Sequence, residues 1–329
     1  MNPKISILVP IYNVSNFIER CAHSLFQQTF DDIEYVFVND CTSDDSIEKL
    51  QKIIEQYPNR KNQVKIINHF HNRGLAAARN TAIDNSMGEY VLVVDSDDYI
   101  ELDMVEELFS CAEKENADIV VSDIIKEYPD KSVLMTDYVS SNRDENIHNI
   151  LFNQVSVASL CNKLIKRELC AREDCRVPEG LNYAEDGHVM FRFYFYANKI
   201  VKIDRPFYHY VHNINSITGG LRGRMHFENI IYFWNMMDSF LIEKNLMSKY
   251  KDEIELMKVE NKVRLMFGTN DRKLRKEFAS MFLAEERKVK NQLKKGKQVM
   301  LFFIRHKLFR LTQLYRQIII LKRKLLFRG

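Results

Sequence analysis

The sequence predicts an α/β protein with a mostly parallel, Rossmann-like sheet flanked by helices, followed by a helical C-terminal extension. Short apolar runs typical of buried strands alternate with helical patterns through about the first 125 residues. From about residue 222 onward the pattern is helical. Alternation of this kind favours right-handed crossovers and a doubly wound sheet. Because 329 residues exceed what one core usually holds, we expect two parts, residues 1–220 and 221–329.

The strands and helices of the first part follow in regular order. Pro10 ends the first strand, and Asp44 or Asp45 is expected to cap the second helix. Strands are predicted at 5–9, 33–38, 64–67, 90–94 and 119–122, with helices at 17–26, up to about 57, 75–83 and 104–112.

The pattern is looser after residue 125. Residues 127–146 are polar and predict a loop, and 160–169 predict a strand that turns into a helix. A helix is predicted at 183–198, and two short strands at 200–203 and 207–211.

Charge is distributed unevenly along the chain. The net charge is +3, but residues 287–329 hold 14 Lys and Arg and no Asp or Glu, which leaves a balance of −11 elsewhere. A basic tail on an acidic body suggests an anionic surface as partner, and without a nucleic-acid motif we expect a membrane instead of nucleic acid. The longest apolar run of the tail, 299–304, is far short of the ~20 residues that span a bilayer.

The cysteines and the N-terminus indicate a cytosolic protein. The six cysteines form no CxxC pair and no zinc-spaced cluster, so free thiols in a reducing compartment are expected. The chain opens directly into a strand pattern, so we expect no signal peptide.

Three carboxylates directly follow the fourth strand. Asp95, Asp97 and Asp98 lie where a parallel sheet binds ligands, beyond the carboxyl ends of its strands. Carboxylates suit Mg²⁺ or Mn²⁺, and such sites commonly combine one or two of them with substrate phosphates. The alternative is an ordinary acidic turn.

Polar residues follow the other strands as well, which predicts a pocket at this edge of the sheet. They are Tyr12-Asn13 after the first strand, Asn39-Asp40 after the second and Asn72-Arg73-Gly74 after the third.

These segments, together with Glu185-Asp186, resemble the family 2 glycosyltransferases of the GT-A fold, which act on nucleotide-diphosphosugars. The matching stretches are 7–13, 38–40, 72–80, 95–98 and 185–186, in order and over about the first 220 residues. The resemblance implies a GT-A catalytic domain at residues 1–220.

The resemblance also implies the donor site. Pro10 and Tyr12 would flank the nucleobase, and Asp40 would hydrogen-bond uracil. Arg73 would contact phosphate, ribose or base. The full nucleotide-sugar set comprises Pro10, Tyr12, Asp40, Asn72, Arg73, Gly74, Asp95 and Ser96.

Metal and base roles follow in the same way. By resemblance Asp97 of the DxD motif contacts Mn²⁺ or Mg²⁺, with Asp95 nearer the ribose or the metal's waters. Asp186 acts as base on the acceptor hydroxyl, with Glu185 beside it, and the anomeric configuration inverts. The alternative for this acidic pair is a favourable interaction with a helix N-terminus.

Two positions depart from the family pattern. Cys41 stands where Gly is usual, so its backbone must adopt negative φ or accept strain. Val211 stands where Arg is frequent, and His212 is a candidate replacement that binds diphosphate or metal, or else is structural.

The tail pattern predicts a basic amphipathic helix at about 299–327. It suits an anionic membrane interface, the alternative being a helix that packs on protein. Its apolar residues, at steps of three or four, are Leu301, Ile304, Leu308, Leu311, Tyr315, Ile318, Leu321 and Leu325.

Together these features predict a cytoplasmic hexosyltransferase, peripheral on the inner face of the cell membrane. It would move a hexose or N-acetylhexosamine from a UDP-sugar to a saccharide or lipid-linked saccharide in surface polysaccharide biosynthesis. One alternative is a sugar-1-phosphate nucleotidyltransferase, which the absence of glycine from residues 1–20 disfavours. The other is a non-catalytic nucleotide-binding or membrane-scaffolding protein.

Overall fold

The structure is a computed structural model that describes residues 2–153, 157–213, 216, 222–311, 314–315 and 317–318. The chain divides into two compact units, Met1–Ile214 and Asn215–Gly329. The boundary predicted between residues 220 and 221 lies outside the described residues.

One sheet of nine strands organises the described part of the first unit, in the order β3-β2-β1-β4-β8-β6-β9-β5, with β7 on β6. The strands are β1 Ile5–Ile11, β2 Ile33–Asn39, β3 Val64–Asn68, β4 Tyr90–Val93, β5 Tyr99–Ile100, β6 Ile119–Tyr128, β7 Lys131–Met135, β8 Lys163–Lys166 and β9 Ile200–Val211.

Helices cover the sheet. They are α1 Ile18–Phe26, α2 Ser46–Gln56, α3 Leu75–Asp84, α4 Met104–Glu115, α5 Arg143–His148, α6 Arg167–Cys170 and α7 Glu185–Tyr196. Short 3₁₀ turns lie at Lys61–Gln63 and Glu173–Cys175, and a π turn at Asn149–Asn153.

Most strands point the same way, as predicted. Strands β1 to β4 are parallel, and β6 and β9 form a parallel pair. Strand β8 is inserted antiparallel between β4 and β6, so β6 runs in the direction of β4. The start of β8 therefore lies at the edge where β4 ends.

Burial explains why the early segments are well predicted. Every residue of β1 is buried, because helices cover both faces of the sheet. In α1, Ile18, Cys21 and Leu25 recur at helical spacing and are fully buried in the same core.

Two predictions in the looser region are wrong. Residues 127–146 are no simple loop, because β6 extends to Tyr128, turns back as β7 and precedes α5. Strand β7 lies mostly exposed at the sheet margin, so it lacks the alternation of a half-buried strand. Residues 200–211 form one strand, since a register shift opposite Asp123 accommodates Pro206.

The second unit is helical over its described residues. Its helices are α8 Arg224–Glu243, α9 Met247–Gly268, α10 Arg272–Phe278, α11 Leu283–Val289 and α12 Lys295–Arg305. A small core joins α9, α11 and α12 through Val259, Val263, Val289, Leu293, Met300 and Leu301.

The prediction of one helix over 299–327 is wrong in its bounds. Helix α12 ends at Arg305, and Lys307 adopts a left-handed φ of 56° before helical structure resumes at Phe309. Residues 319–329 lie outside the described part. No helix among the described residues is long and apolar enough to cross a membrane.

Candidate functional site

The loop between β3 and α3 is held by Asp40. This carboxylate is 2% exposed and accepts hydrogen bonds from the backbone N–H groups of Arg73 and Gly74, each at 2.8 Å. His69 Nδ1 lies 2.7 Å from Asp40 Oδ1, and its Nε2 lies 2.9 Å from the Thr81 hydroxyl on α3. Asp40 therefore fixes the start of α3, and its predicted contact with uracil stays a prediction.

Gly74 occupies a backbone conformation that other residues rarely adopt. Its φ is +87°, and a Cβ there would lie 2.6 Å from Asn182 Oδ1. The same Asn182 oxygen accepts from the Ala76 backbone N–H at 3.2 Å, while Asn72 Nδ2 donates to the Asp40 carbonyl at 3.4 Å. A side chain at position 74 would thus displace the Asn182 side chain, which bonds the start of α3, or the loop itself.

The other predicted donor-site residues lie at the end of β1 and on neighbouring loops. The Ser96 hydroxyl donates to the Pro10 carbonyl at 2.7 Å and so joins the ends of β1 and β4. Tyr12 is about half exposed. The Arg73 guanidinium forms an exposed ion pair with Glu179. Tyr12 and Arg73 are therefore accessible from solvent.

Asp95 and Asp97 use their carboxylates differently. Asp95 Oδ1 accepts from Arg79 Nη2 at 3.0 Å, and its Oδ2 accepts from the Cys161 thiol at 3.2 Å. Asp97 Oδ2 accepts from Asn213 Nδ2 at 3.0 Å. Burial, and then the charge of Asp95, raise the pKa of Asp97.

Asp98 points into the protein. It is 1% exposed, and it accepts from the Tyr208 hydroxyl at 2.6 Å and the Val211 backbone N–H at 2.7 Å. Burial, followed by repulsion from Asp97 and Asp95, raises the pKa of Asp98 to about 8. These contacts make it a support for the motif.

The oxygen ligands available around Asp97 fit a divalent cation. Burial and the nearby charge of Asp95 raise the pKa of Asp97, which is the electrostatic imbalance that a cation relieves. Among the described residues no three His, Cys, Asp or Glu side chains form a metal shell by themselves. That is consistent with a site that substrate phosphates complete. His212 is exposed, and its ring centroid lies 5.4 Å from that of Tyr128.

The predicted catalytic pair begins α7. Glu185 is buried and Asp186 is the more exposed of the two. Burial, and then Asp186, raise the pKa of Glu185 to about 7. Burial likewise raises the pKa of Asp186, while Arg79 and the Leu160 backbone N–H oppose that rise.

Arg79 joins the two carboxylate groups, and the sequence reasoning assigned it no role. Its Nη1 donates to Glu185 Oε1 at 2.9 Å and to Asp186 Oδ1 at 2.5 Å, while its Nη2 contacts Asp95. The signal was present in the sequence, since Arg79 is the one basic residue of an alanine-rich helix whose Ala76–Ala78 are buried.

The two departures from the family pattern have different outcomes. Cys41 adopts a left-handed φ of 57°, so a non-glycine residue carries backbone strain beside Asp40. Val211 contributes its backbone N–H to Asp98.

Comparison with known proteins gives both a family match and relatives. The model of the family described as "Glycosyl transferase family 2" matches residues 6–172. The putative glycosyltransferase EpsH of Bacillus subtilis (strain 168) is 32% identical over 259 residues, which is 77% of this chain and 73% of the relative.

Solved structures share the architecture. S. aureus TarS 1-349 in complex with UDP-GlcNAc superposes with a TM-score of 0.57 at 21% identity, over 92% of this chain and 79% of that one. The mannosyltransferase PcManGT from Pyrobaculum calidifontis, in complex with GDP-Man and Mn²⁺, gives a TM-score of 0.53 at 14% identity, over 97% and 86%. At these identities the similarity shows the fold, which is the predicted GT-A fold.

Proposed function

Because this chain belongs to glycosyl transferase family 2, we propose that it is an inverting, metal-dependent hexosyltransferase. The sugar is a hexose or N-acetylhexosamine, the donor a UDP-sugar and the acceptor a saccharide or lipid-linked saccharide of surface polysaccharide biosynthesis. One observation carries the proposal. A single guanidinium, that of Arg79, contacts both Asp95 of the donor motif and Asp186 of the acidic pair.

The donor nucleotide binds across the loops that follow β1, β2 and β3. Tyr12 and Arg73 are accessible there, and supply an aromatic face and a positive charge. Asp40 holds the backbone of the Arg73–Gly74 loop and keeps one lone pair of Oδ2 for a base N–H. The UDP-GlcNAc bound to TarS and the GDP-Man bound to PcManGT support a nucleotide-sugar donor and leave its nucleobase to experiment.

Asp97 would hold the divalent cation, with Asp95 beside it. When bound, a cation offsets the negative charge that the departing diphosphate gains. Asp95 is already oriented by Arg79 and Cys161, and Asp97 by Asn213. The protein thus contributes carboxylates that are fixed before the donor arrives.

Asp186 takes the proton from the acceptor hydroxyl. It is more accessible than Glu185, and its interaction with Arg79 favours the ionised form that a base requires. One accessible carboxylate permits a single displacement, which inverts the anomeric configuration. Replacing it tests the role, because Asp186→Asn should remove transfer and leave UDP binding largely intact. Asp84→Asn, an exposed acid on α3, is the control.

The family assignment disfavours a nucleotidyltransferase. A non-catalytic nucleotide-binding or scaffolding role would leave transfer absent in the wild type as well, so the Asp186 experiment separates it from the enzyme.

We also propose a cytoplasmic location on the inner face of the membrane, through the basic tail. Helix α12 has two apolar sides. Leu301 and Ile304 are buried in the second unit, whereas Val299 and Phe302 are exposed, Phe302 by 53%. An exposed apolar side within a segment that holds only basic charges suits anionic lipid.

Vesicle flotation tests this proposal. The double variant Val299→Ser/Phe302→Ser should lose binding to anionic vesicles, while Ile242→Ser, an exposed apolar residue at the end of α8, should retain it. Wild-type protein that stays unbound at low salt would contradict a membrane partner.

The first experiment on the donor site is calorimetric titration of UDP with and without Mn²⁺. Metal-dependent binding is expected in the wild type and should disappear in Asp97→Ala. Equal binding in the two proteins would contradict the role of Asp97. If UDP does not bind at all, nucleotides with other nucleobases become candidates for the donor.

A further inference from the structure

Arg79 is a buried cation that serves three carboxylates at once. It is 3% exposed, and its two terminal nitrogens contact Asp95, Glu185 and Asp186 within 3.0 Å. Among the ion pairs of the described residues, these three acids pair with no other cation.

The charge balance at this position is unusual. Burial opposes the charged guanidinium, yet Asp186, Asp95 and Glu185 raise the pKa of Arg79 well above its ordinary value. A planar guanidinium holds several oxygens in fixed directions, which an ammonium does not.

In this orientation Arg79 contacts the three acids but leaves one of its own nitrogens without a hydrogen bond. Its Nε is buried and has no hydrogen-bond partner among the described atoms. Such a group costs about 1–3 kcal/mol, so stability alone does not explain the conformation. Both terminal nitrogens are instead directed at acids from two separate segments, the turn after β4 and the start of α7.

We propose that Arg79 is a positioning residue for glycosyl transfer. It holds Asp186 directed at the acceptor hydroxyl, and it ties that carboxylate to Asp95 of the donor motif. This inference rests on the proposed function, and it assigns Arg79 no contact with substrate. Glu185 completes the arrangement as the second acid on Nη1.

Arg79→Lys is the first test. One ammonium cannot reproduce three directed contacts, so kcat should fall by about 10²-fold, the lower end of what a positioned general base contributes. KM for the UDP-sugar and calorimetric UDP affinity should change much less than kcat, because Arg79 reaches the proposed donor site only through Asp95 and contacts neither Asp40 nor Asp97 in the structure. A purely structural role would lower kcat, UDP affinity and thermal stability together, and would raise KM.

Chemical rescue gives a second, independent readout. Arg79→Ala should recover part of its kcat when guanidinium is added below denaturing concentration, with KCl at equal ionic strength as the blank. The matched control is Arg176→Ala, which removes an arginine that bonds Asp84 at the far end of α3. That variant should keep wild-type kcat and respond to neither salt.

The outcomes separate this inference from the function on which it rests. Wild-type protein without transfer from any UDP-sugar would contradict the proposed function. Active wild type with Arg79→Lys at an unchanged kcat would overturn the positioning role. So would a loss in Arg79→Ala that guanidinium fails to restore while the protein remains folded and binds UDP.

Discussion

Tyr208 and Asp98 share a buried hydrogen bond of 2.6 Å that holds the last carboxylate of the Asp95–Asp98 motif inside the protein. The same hydroxyl accepts from the Asp95 backbone N–H at 3.2 Å. Strand β9 thereby braces the turn on which the candidate metal ligand Asp97 lies.

Removing this hydroxyl should destabilise the protein. Tyr208→Phe leaves the buried Asp98 with one donor fewer, so the free energy of unfolding should fall by about 1–3 kcal/mol. Denaturant titration measures it. Tyr138→Phe, which removes an exposed hydroxyl bonded to Glu145, should change stability by less than about 0.5 kcal/mol. Equal effects in the two variants would show that the Tyr208 hydroxyl is not a support.

Asp40→Asn should lower stability even without ligand. An amide offers one acceptor oxygen where the carboxylate serves the N–H groups of Arg73 and Gly74, so the melting temperature should fall. UDP affinity should fall with it. The control is Asp45→Asn, which changes an exposed carboxylate in the same connection between β2 and α2. An unchanged melting temperature with UDP binding lost would assign Asp40 to the base alone.

Gly74→Ala should be more harmful than Gly180→Ala. Both glycines have φ near +87°, so both variants incur a backbone penalty of about 1–3 kcal/mol. At Gly74 the new Cβ lies 2.6 Å from Asn182, whereas at Gly180 it has no non-adjacent neighbour within 4 Å among the described residues. Thermal unfolding of the two variants gives the difference, and identical losses would argue against a tight loop.

Glu185→Gln should help folding at alkaline pH. Burial and Asp186 raise the pKa of Glu185 from 4.5 to about 7, so the folded protein binds this proton more tightly than the unfolded chain. Wild-type stability therefore falls as the pH rises from about 4.5 to about 7. The variant lacks this loss. The free energy of unfolding of the variant minus that of the wild type should therefore be about 1–3 kcal/mol larger at pH 8 than at pH 5. A difference independent of pH would contradict the shifted pKa.

The positions of the site residues that follow the parallel strands could be predicted from local sequence. Buried strands that end in polar residues predict which side chains lie at the sheet edge, and Pro10, Asp40 and Asp95 are found there. Each depends only on a strand and the loop directly after it.

The rest of the site depends on pairing that no local pattern contains. Cys161 reaches Asp95 because β8 is inserted antiparallel, and Tyr208 reaches Asp98 because β9 passes through a register shift. The carboxylates that Arg79 joins are separated from it by 16 to 107 residues. Such contacts arise from the closed fold, so the sequence offered only the oddity of a charge among alanines.

Helix α3 has a consequence for redesign. Its start is fixed by Asp40 and its fifth residue, Arg79, meets the acids at the opposite end of the site. A change that shifts the start of this short helix, next to the proposed nucleotide-binding loops, will also move Arg79, which directs Asp186. Exchanging donor preference between relatives therefore requires transplanting residues 72–80 together with the acids that Arg79 contacts. Hybrids in which only the loop is exchanged should bind a new nucleotide but transfer its sugar poorly.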